Sequence, residues 1–162
     1  MRITWNELTI SPDGIDLASL LSDWRWLVDE SYQPVVISAL GDLFLRHDDG
    51  RIFWLDTAWG QLTEVAPSAE EFKQRMAQPE NAAEWFAPQL IGELLTAGLT
   101  LGPGECFSYK HPPILGGEPE IDNFEPTLLE VHCSILGQIH EQVKDLPPGT
   151  PIGNIEIEEP EG

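Results

Sequence analysis

Residues 41–65 read GDLFLRHDDGRIFWLDTAWGQLTEV, with one histidine, two glycines after turn-forming residues, and four aspartates. The stretch is either a metal or catalytic loop or the turns and strands of a sheet. DLFLR and RIFWLD are strand-like runs separated by HDDG. Asp-Gly between two β-prone runs is a hairpin signal, because Gly50 tolerates the positive φ of a tight turn. TAWG is a second turn and QLTEVA a third strand, which makes a β-meander. The aspartates gather there because their carboxylates bond nearby backbone N–H groups. A calcium loop needs alternating oxygen ligands, a central glycine and a glutamate at the twelfth place, a pattern that Asp48, Asp49 and Gly50 do not begin. His47 has no histidine three or four residues away, as a zinc helix would require. The stretch therefore reads as architecture. Trp59, at a turn tip, is the one residue in it placed to touch a partner.

On the N-terminal side, DGIDLASLLSDWRWLVDE has the spacing of an amphipathic helix, with Leu17, Leu20, Leu21, Trp24, Leu27 and Val28 on one stripe and Asp13 or Asp16 as the cap. Trp26 lies off the stripe and is expected to pack under a neighbouring loop. QPVVISALG reads as a short buried strand. On the C-terminal side, Ser68 and Glu71 have capping-box spacing at the start of a helix that Pro79 ends, and Pro88 should divide the helical region that follows, with Gly98 as its C-cap. Residues 99–126 contain five prolines and four glycines, which break long elements; ECFSYK is a short strand within them. TLLEVHCSILGQIHEQVKDLPPG is a long helix, read with a capping box at Thr127 and Glu130 and a stripe of Leu128, Val131, Ile135, Ile139 and Val143. The expected fold is α+β: one domain over residues 1–152, a small antiparallel sheet (meander) flanked by helices, followed by an acidic tail over 153–162 that frays beyond a short strand.

The 162 residues carry 28 acids against 8 bases, a net charge of −20. Residues 1–97 and 98–162 each contribute −10, so no isolated tail explains it. Such a field repels nucleic acid and anionic membranes, and speeds encounter with basic proteins; solubility alone is the other reading. GGEPEIDNFE carries four acids and no base, and is either an acidic recognition loop or a solvated turn. Two cysteines, Cys106 and Cys133, make no disulfide framework; with no signal-like segment and no apolar run near the ~20 residues of a membrane span, a cytoplasmic protein is expected.

Motifs for chemistry are sparse. His132 and His140 lie eight apart on one helix, about 12 Å along its axis, too far to share a metal unaided. Pro103 removes an N–H that a phosphate cradle at LGPGE would need. Cys106 pairs on paper with His111 or His132, yet cysteine usually serves as a small buried hydrophobe. No nucleophile elbow, Walker loop, dinucleotide fingerprint or zinc-protease motif occurs. No catalytic residue, cofactor or metal site is assigned.

The run from Gly41 to Phe72, GDLFLRHDDGRIFWLDTAWGQLTEVAPSAEEF, and the run from Pro113 to Thr150, with Gly116-Gly117-Glu118, Gly137-Gln138-Ile139-His140 and Lys144-Asp145-Leu146-Pro147, resemble a bacterial family of domains of unknown function. That family is associated with the C-terminal part of immunity proteins against type VI secretion DNase effectors. The resemblance spans roughly residues 35–152; residues 1–34 have room for one helix, where such immunity proteins often carry a separate N-terminal domain. It implies a cytosolic α+β domain that binds and neutralises a toxin without catalysis. It also implies that Gly137 permits close helix packing and that His140 fixes a loop. The expected partner is a basic protein, a nuclease-like toxin, held at Trp59, Glu118, Glu120, Asp122 and Glu125. The alternatives are a structural or regulatory protein with another partner, or an enzyme with an acid–base site that no motif marks.

Overall fold

The computed structural model describes residues 3–147 and 155–158. Four antiparallel strands run in the order β1-β2-β3-β4: Tyr32–Ile37, Leu43–His47, Ile52–Asp56 and Gln61–Ala66. The meander read from residues 41–65 is thus present, turn for turn, with Gly50 and Gly60 at positive φ. The sheet is buried on both faces. On β2, Phe44 points to one face while Leu43 and Leu45 point to the other, and all three are fully buried. A strand covered on both sides needs a continuous apolar run, which LFL supplies.

Three helices cover the Phe44 face: α2 (Ala69–Met76), α3 (Pro79–Phe86) and α4 (Pro88–Thr96), which follow the four-residue α1 (Trp5–Leu8) in the chain. Phe72, Trp85, Phe86, Ile91 and Leu94 fill this layer, with Phe86 stacked 5.1 Å from Phe44. Pro79 opens α3 at its first position and does not merely end α2. Pro88 does divide the region: Ala87 sits between α3 and α4 at φ 46, and Gly98 turns the chain at φ +96. At α2 half of the expected capping box forms. Ser68 accepts from Glu71 N (3.2 Å), but the Glu71 carboxylate accepts from Arg75 Nε instead. A full box caps α1, between Thr4 and Glu7.

The opposite face is covered by α5 (Leu129–Val143) and by Leu17–Trp24. The latter is a 3-10 helix, not the α-helix its spacing suggests, and Asp16 heads it without a side-chain cap. The apolar face survives because Leu20, Leu21 and Trp24 share one side at a three-residue repeat as well. Tertiary bonds hold the unusual geometry: Trp24 Nε1 donates to the Cys133 carbonyl (2.9 Å), and Trp26 Nε1 to that of Gly137 (3.1 Å). Trp26 packs, as expected. A Cβ on Gly137 would lie 2.5 Å from the Asp23 carbonyl oxygen, so glycine sets the closeness of the two helices.

β1 is an edge strand with a bulge between Pro34 and Val36, which leaves Val35 exposed where a buried strand is expected. Thr127 belongs to β6 (Phe124–Leu128), which pairs with β5 (Glu105–Tyr109) in a second, two-stranded sheet. Helix α5 therefore starts at Leu129, headed by Leu128 with no capping bond, and Leu128 is exposed. The buried face of α5 runs through Leu129, His132, Cys133, Leu136, Ile139 and His140. The aliphatic stripe misplaces that face because it leaves both histidines outside the core.

Candidate functional site

Two regions gather polar side chains. The first is internal. Asp42 heads β2, Thr57 follows β3, Ser108 lies on β5 and His132 on α5; all four are buried. Asp42 Oδ1 accepts from the Thr57 backbone N–H (3.0 Å) and hydroxyl (2.9 Å), and Oδ2 from Trp54 Nε1 (3.2 Å). The imidazole of His132 lies between two hydroxyls, with Nε2 3.0 Å from Thr57 Oγ1 and Nδ1 2.7 Å from Ser108 Oγ. One proton assignment satisfies the set: Ser108 donates to Nδ1, Nε2–H donates to Thr57, and Thr57 donates to Asp42. Burial pushes the Asp42 carboxyl up to about 7, helped by the neighbouring Asp56 charge, and pushes His132 down to about 4.

A hydroxyl, an imidazole and a carboxylate in one chain invite a catalytic reading. The geometry argues for a clasp instead. Thr57 separates the imidazole from the carboxylate, and none of the described cavities is lined by Asp42, Thr57, Ser108 or His132. The chain of bonds ties the four-stranded sheet to the two-stranded sheet and to α5. Gly41 completes it: at φ +83, a Cβ there would fall 2.3 Å from His132 Nε2. Two turns further along α5, His140 ties the helix to the β3–β4 connection, with Nε2 2.9 Å from the Thr57 carbonyl oxygen, which matches the loop-fixing role expected of it.

The cysteines take no part in an open site. Cys106 and Cys133 are unpaired and buried, and burial raises both thiols well above their ordinary range. Such thiols are protonated and poor nucleophiles at neutral pH. Among the described residues, no group of three or more histidine, cysteine or acidic side chains is placed to hold a metal ion. No described helix is long and apolar enough to cross a membrane.

The second region is the surface loop between β5 and β6, which carries Glu118, Glu120 and Asp122, with Glu125 following on β6 opposite Ser108. All four are exposed, yet the loop beneath them is firmly built. Asn123 bonds both backbone groups of His111: its Oδ1 accepts from His111 N (2.9 Å), and its Nδ2 donates to His111 O (2.9 Å) and Glu118 O (2.8 Å). His111 Nε2 lies 2.8 Å from the Leu115 carbonyl oxygen. Gly117 passes so close that a Cβ would sit 1.7 Å from His111 O. A shallow hollow of about 380 Å³ opens between His111 and the acids. Its acid rim is thus fixed by the side chain of one asparagine and the absence of another at Gly117.

Trp59 is half-exposed, at 52%, on the turn between β3 and β4, whose Gly60 abuts the His140 ring. Among the described residues, no hydrogen bond or ring contact joins Trp59 to the four acids. The acid loop instead packs against α4 through the 3-10 turn Ile121–Asn123. Sequence reading finds the acids and the tryptophan by composition and turn position. It misses Asp42, Thr57 and Ser108, for which the available signal is only a polar residue at the end of an apolar run.

The fold and the ordered acidic surface define a small α+β domain with an anchored acidic loop. A family model described as "T6SS immunity protein Tdi1, C-terminal" matches residues 66–140, the span from the end of β4 to His140. Residues 66–140 are thus similar to the C-terminal domain of type VI secretion immunity proteins. The match is shorter than the resemblance read over residues 35–152 and leaves out most of the meander. In fold, the chain is similar to the crystal structure of Atu4351 from Agrobacterium tumefaciens, with a TM-score of 0.52 and 15% identity. That superposition covers 75% of this chain and 62% of the other, so the chain spans less than two thirds of that protein. No curated protein matches the chain.

Proposed function

We propose that the chain is a non-catalytic immunity protein that binds a basic, nuclease-like toxin in the cytoplasm and blocks it by occupancy. The observation that carries the proposal is the anchored acid rim of Glu118, Glu120 and Asp122, with the exposed Glu125 on β6, on a chain of net charge −20. A nuclease is basic where it holds phosphate. An acidic inhibitor gains association rate from that field and competes with nucleic acid for the same surface. The anchored loop lowers the ordering cost of binding. Trp59 supplies an aromatic contact at a second point. The unpaired cysteines fit a reducing compartment. The enzyme alternative needs a site open to substrate, and the grouping that most resembles one, Ser108–His132, is sealed in the interior.

The test is capture of partners from source-cell extract on the immobilised chain, followed by elution in rising salt. The expected partner is a basic protein, released by salt, whose nuclease activity falls as the chain is added. Retention of only neutral or acidic partners would overturn the nuclease reading and favour a structural or regulatory role. A captured nuclease whose activity the chain leaves unchanged would overturn inhibition by occupancy.

A further inference from the structure

The outer side of α5 holds a contact that the acid rim does not use. Gln138 and Gln142 are four residues apart, and each makes a reciprocal pair of bonds with the main chain of residues 155–158. Gln138 Oε1 accepts from Glu158 N (2.6 Å) while its Nε2 donates to Glu158 O (2.5 Å). Gln142 does the same with Glu156, at 3.0 and 2.5 Å. Two residues of an extended chain advance about 6.6 Å and four residues of a helix about 6 Å, so alternate peptide units meet the two amides in step. The first amide is also pre-oriented. Gln138 Nε2 donates to Ser134 Oγ (3.1 Å), and Ser134 donates to Asp23 Oδ2 (2.6 Å), which leaves the Gln138 oxygen facing the strand.

Each of these bonds reads backbone. The side chains of Glu156, Ile157 and Glu158 are all exposed, and none is used by the glutamines. A site that reads only main chain accepts other extended sequences as well. The present occupant is moreover acidic, on a strongly acidic molecule, and its Gln138 partner is joined through Ser134 to Asp23. Like charges weaken its hold, and a basic strand would gain where this one loses.

We propose that Gln138 and Gln142 form a docking site for an extended, basic segment of a partner protein, closed in the free chain by its own residues 155–158 acting as a displaceable strap. The proposal rests on the immunity reading only for the charge of the partner. The site itself stands on the paired amide geometry.

The test uses the full-length chain and a blocked peptide of alternating isoleucine and lysine, followed by NMR of the Gln138 and Gln142 side-chain amides and the Glu156 and Glu158 backbone amides. In the free chain the two backbone amides are protected from exchange. Titration with the peptide shifts the glutamine amides saturably and releases that protection. Glu156→Pro with Glu158→Pro removes the two strap N–H donors while leaving the glutamines intact, and should tighten peptide binding about tenfold by removing the competitor. Gln138→Ala with Gln142→Ala should abolish peptide binding, read from the backbone amides of α5, in a variant whose folding the remaining amide spectrum reports. Three results each overturn the proposal: unprotected amides at 156 and 158 in the free chain, equal peptide binding by the glutamine variant, or no gain from the proline variant. An isoleucine–glutamate peptide that binds equally well would overturn the preference for a basic segment. Because the probe is a synthetic peptide, failure of the toxin capture leaves this result standing, and the converse also holds.

Discussion

The clasp around His132 and the loop around Asn123 use the same materials in opposite ways. Both join a histidine, a carbonyl or carboxylate, and a glycine too crowded for a side chain. In the clasp the charged groups are buried, and burial drives both toward their neutral forms, with Asp42 up to about 7 and His132 down to about 4. In the loop the neutral amide of Asn123 does the joining, and the acids stay outside with their charges free. Charge that is to act on a partner must stay solvated, and charge that holds a core must be paired or suppressed. Resemblance to catalytic machinery is therefore strongest where access is least.

The largest expected effect is on the clasp. His132→Ala removes the imidazole that satisfies Ser108 and Thr57 and opens a void between both sheets, at a cost of about 3 kcal/mol. Urea denaturation measures it. A loss below about 1 kcal/mol would mean that the clasp does not hold the layers together.

A pH series sharpens the same point. The folded Asp42 carboxyl titrates above its ordinary value of 3.8, so its contribution is fully present below about 4 and is lost as pH rises toward 7. His132 is shifted the other way, from 6.5 to about 4, so its contribution is full above 6.5 and is lost as pH falls toward 4. Between those limits the two slopes oppose each other. Asp42→Asn removes one of them. Its stability deficit relative to the unaltered chain should grow by about 1.4 kcal/mol for each pH unit below 7, until about pH 4. A deficit independent of pH would show that Asp42 is ionised throughout.

What was legible in the sequence divides along similar lines. The meander is visible because Asp-Gly and Trp-Gly turns and alternating apolar runs are local signals. Pro88 splits two helices for an equally local reason. The clasp is not visible, because Asp42, Thr57, Ser108 and His132 lie on four different elements and come together only by tertiary packing. The buried face of α5 fails for that reason too: His132 and His140 count as polar in any periodicity, yet here they are core residues with partners. β6 is missed because its Pro126 and Thr127 read more readily as a helix start than as an edge strand. The acid rim is legible as composition, while the anchoring by Asn123 and Gly117 that makes it a surface of fixed shape is not.

Gly117→Ala separates shape from charge. The added methyl would fall 1.7 Å from the His111 carbonyl oxygen, so the loop must open while every acid remains. The expected cost in stability is about 1–2 kcal/mol, because the strain is confined to a surface loop. Binding to a basic partner should weaken mainly through faster dissociation, read by surface plasmon resonance. An unchanged dissociation rate would mean that the order of the loop contributes nothing to recognition.

The smallest effect on stability, and the most specific on function, is expected from reversing the rim itself. Changing Glu118, Glu120, Asp122 and Glu125 to lysine breaks none of the hydrogen bonds that shape the loop, since those run through Asn123, His111 and the main chain. The urea midpoint should therefore move by less than about 0.5 kcal/mol equivalent, as for most exposed substitutions. The association rate with a basic partner should fall at low ionic strength, and the difference should shrink as salt screens the field over a Debye length of about 10 Å at 0.1 M. A rate that is unchanged at low salt would remove the four acids from the encounter surface and leave the charge of −20 as a matter of solubility. A large loss of stability would instead show that the rim is part of the fold, as the clasp is, and would erase the distinction between the two regions.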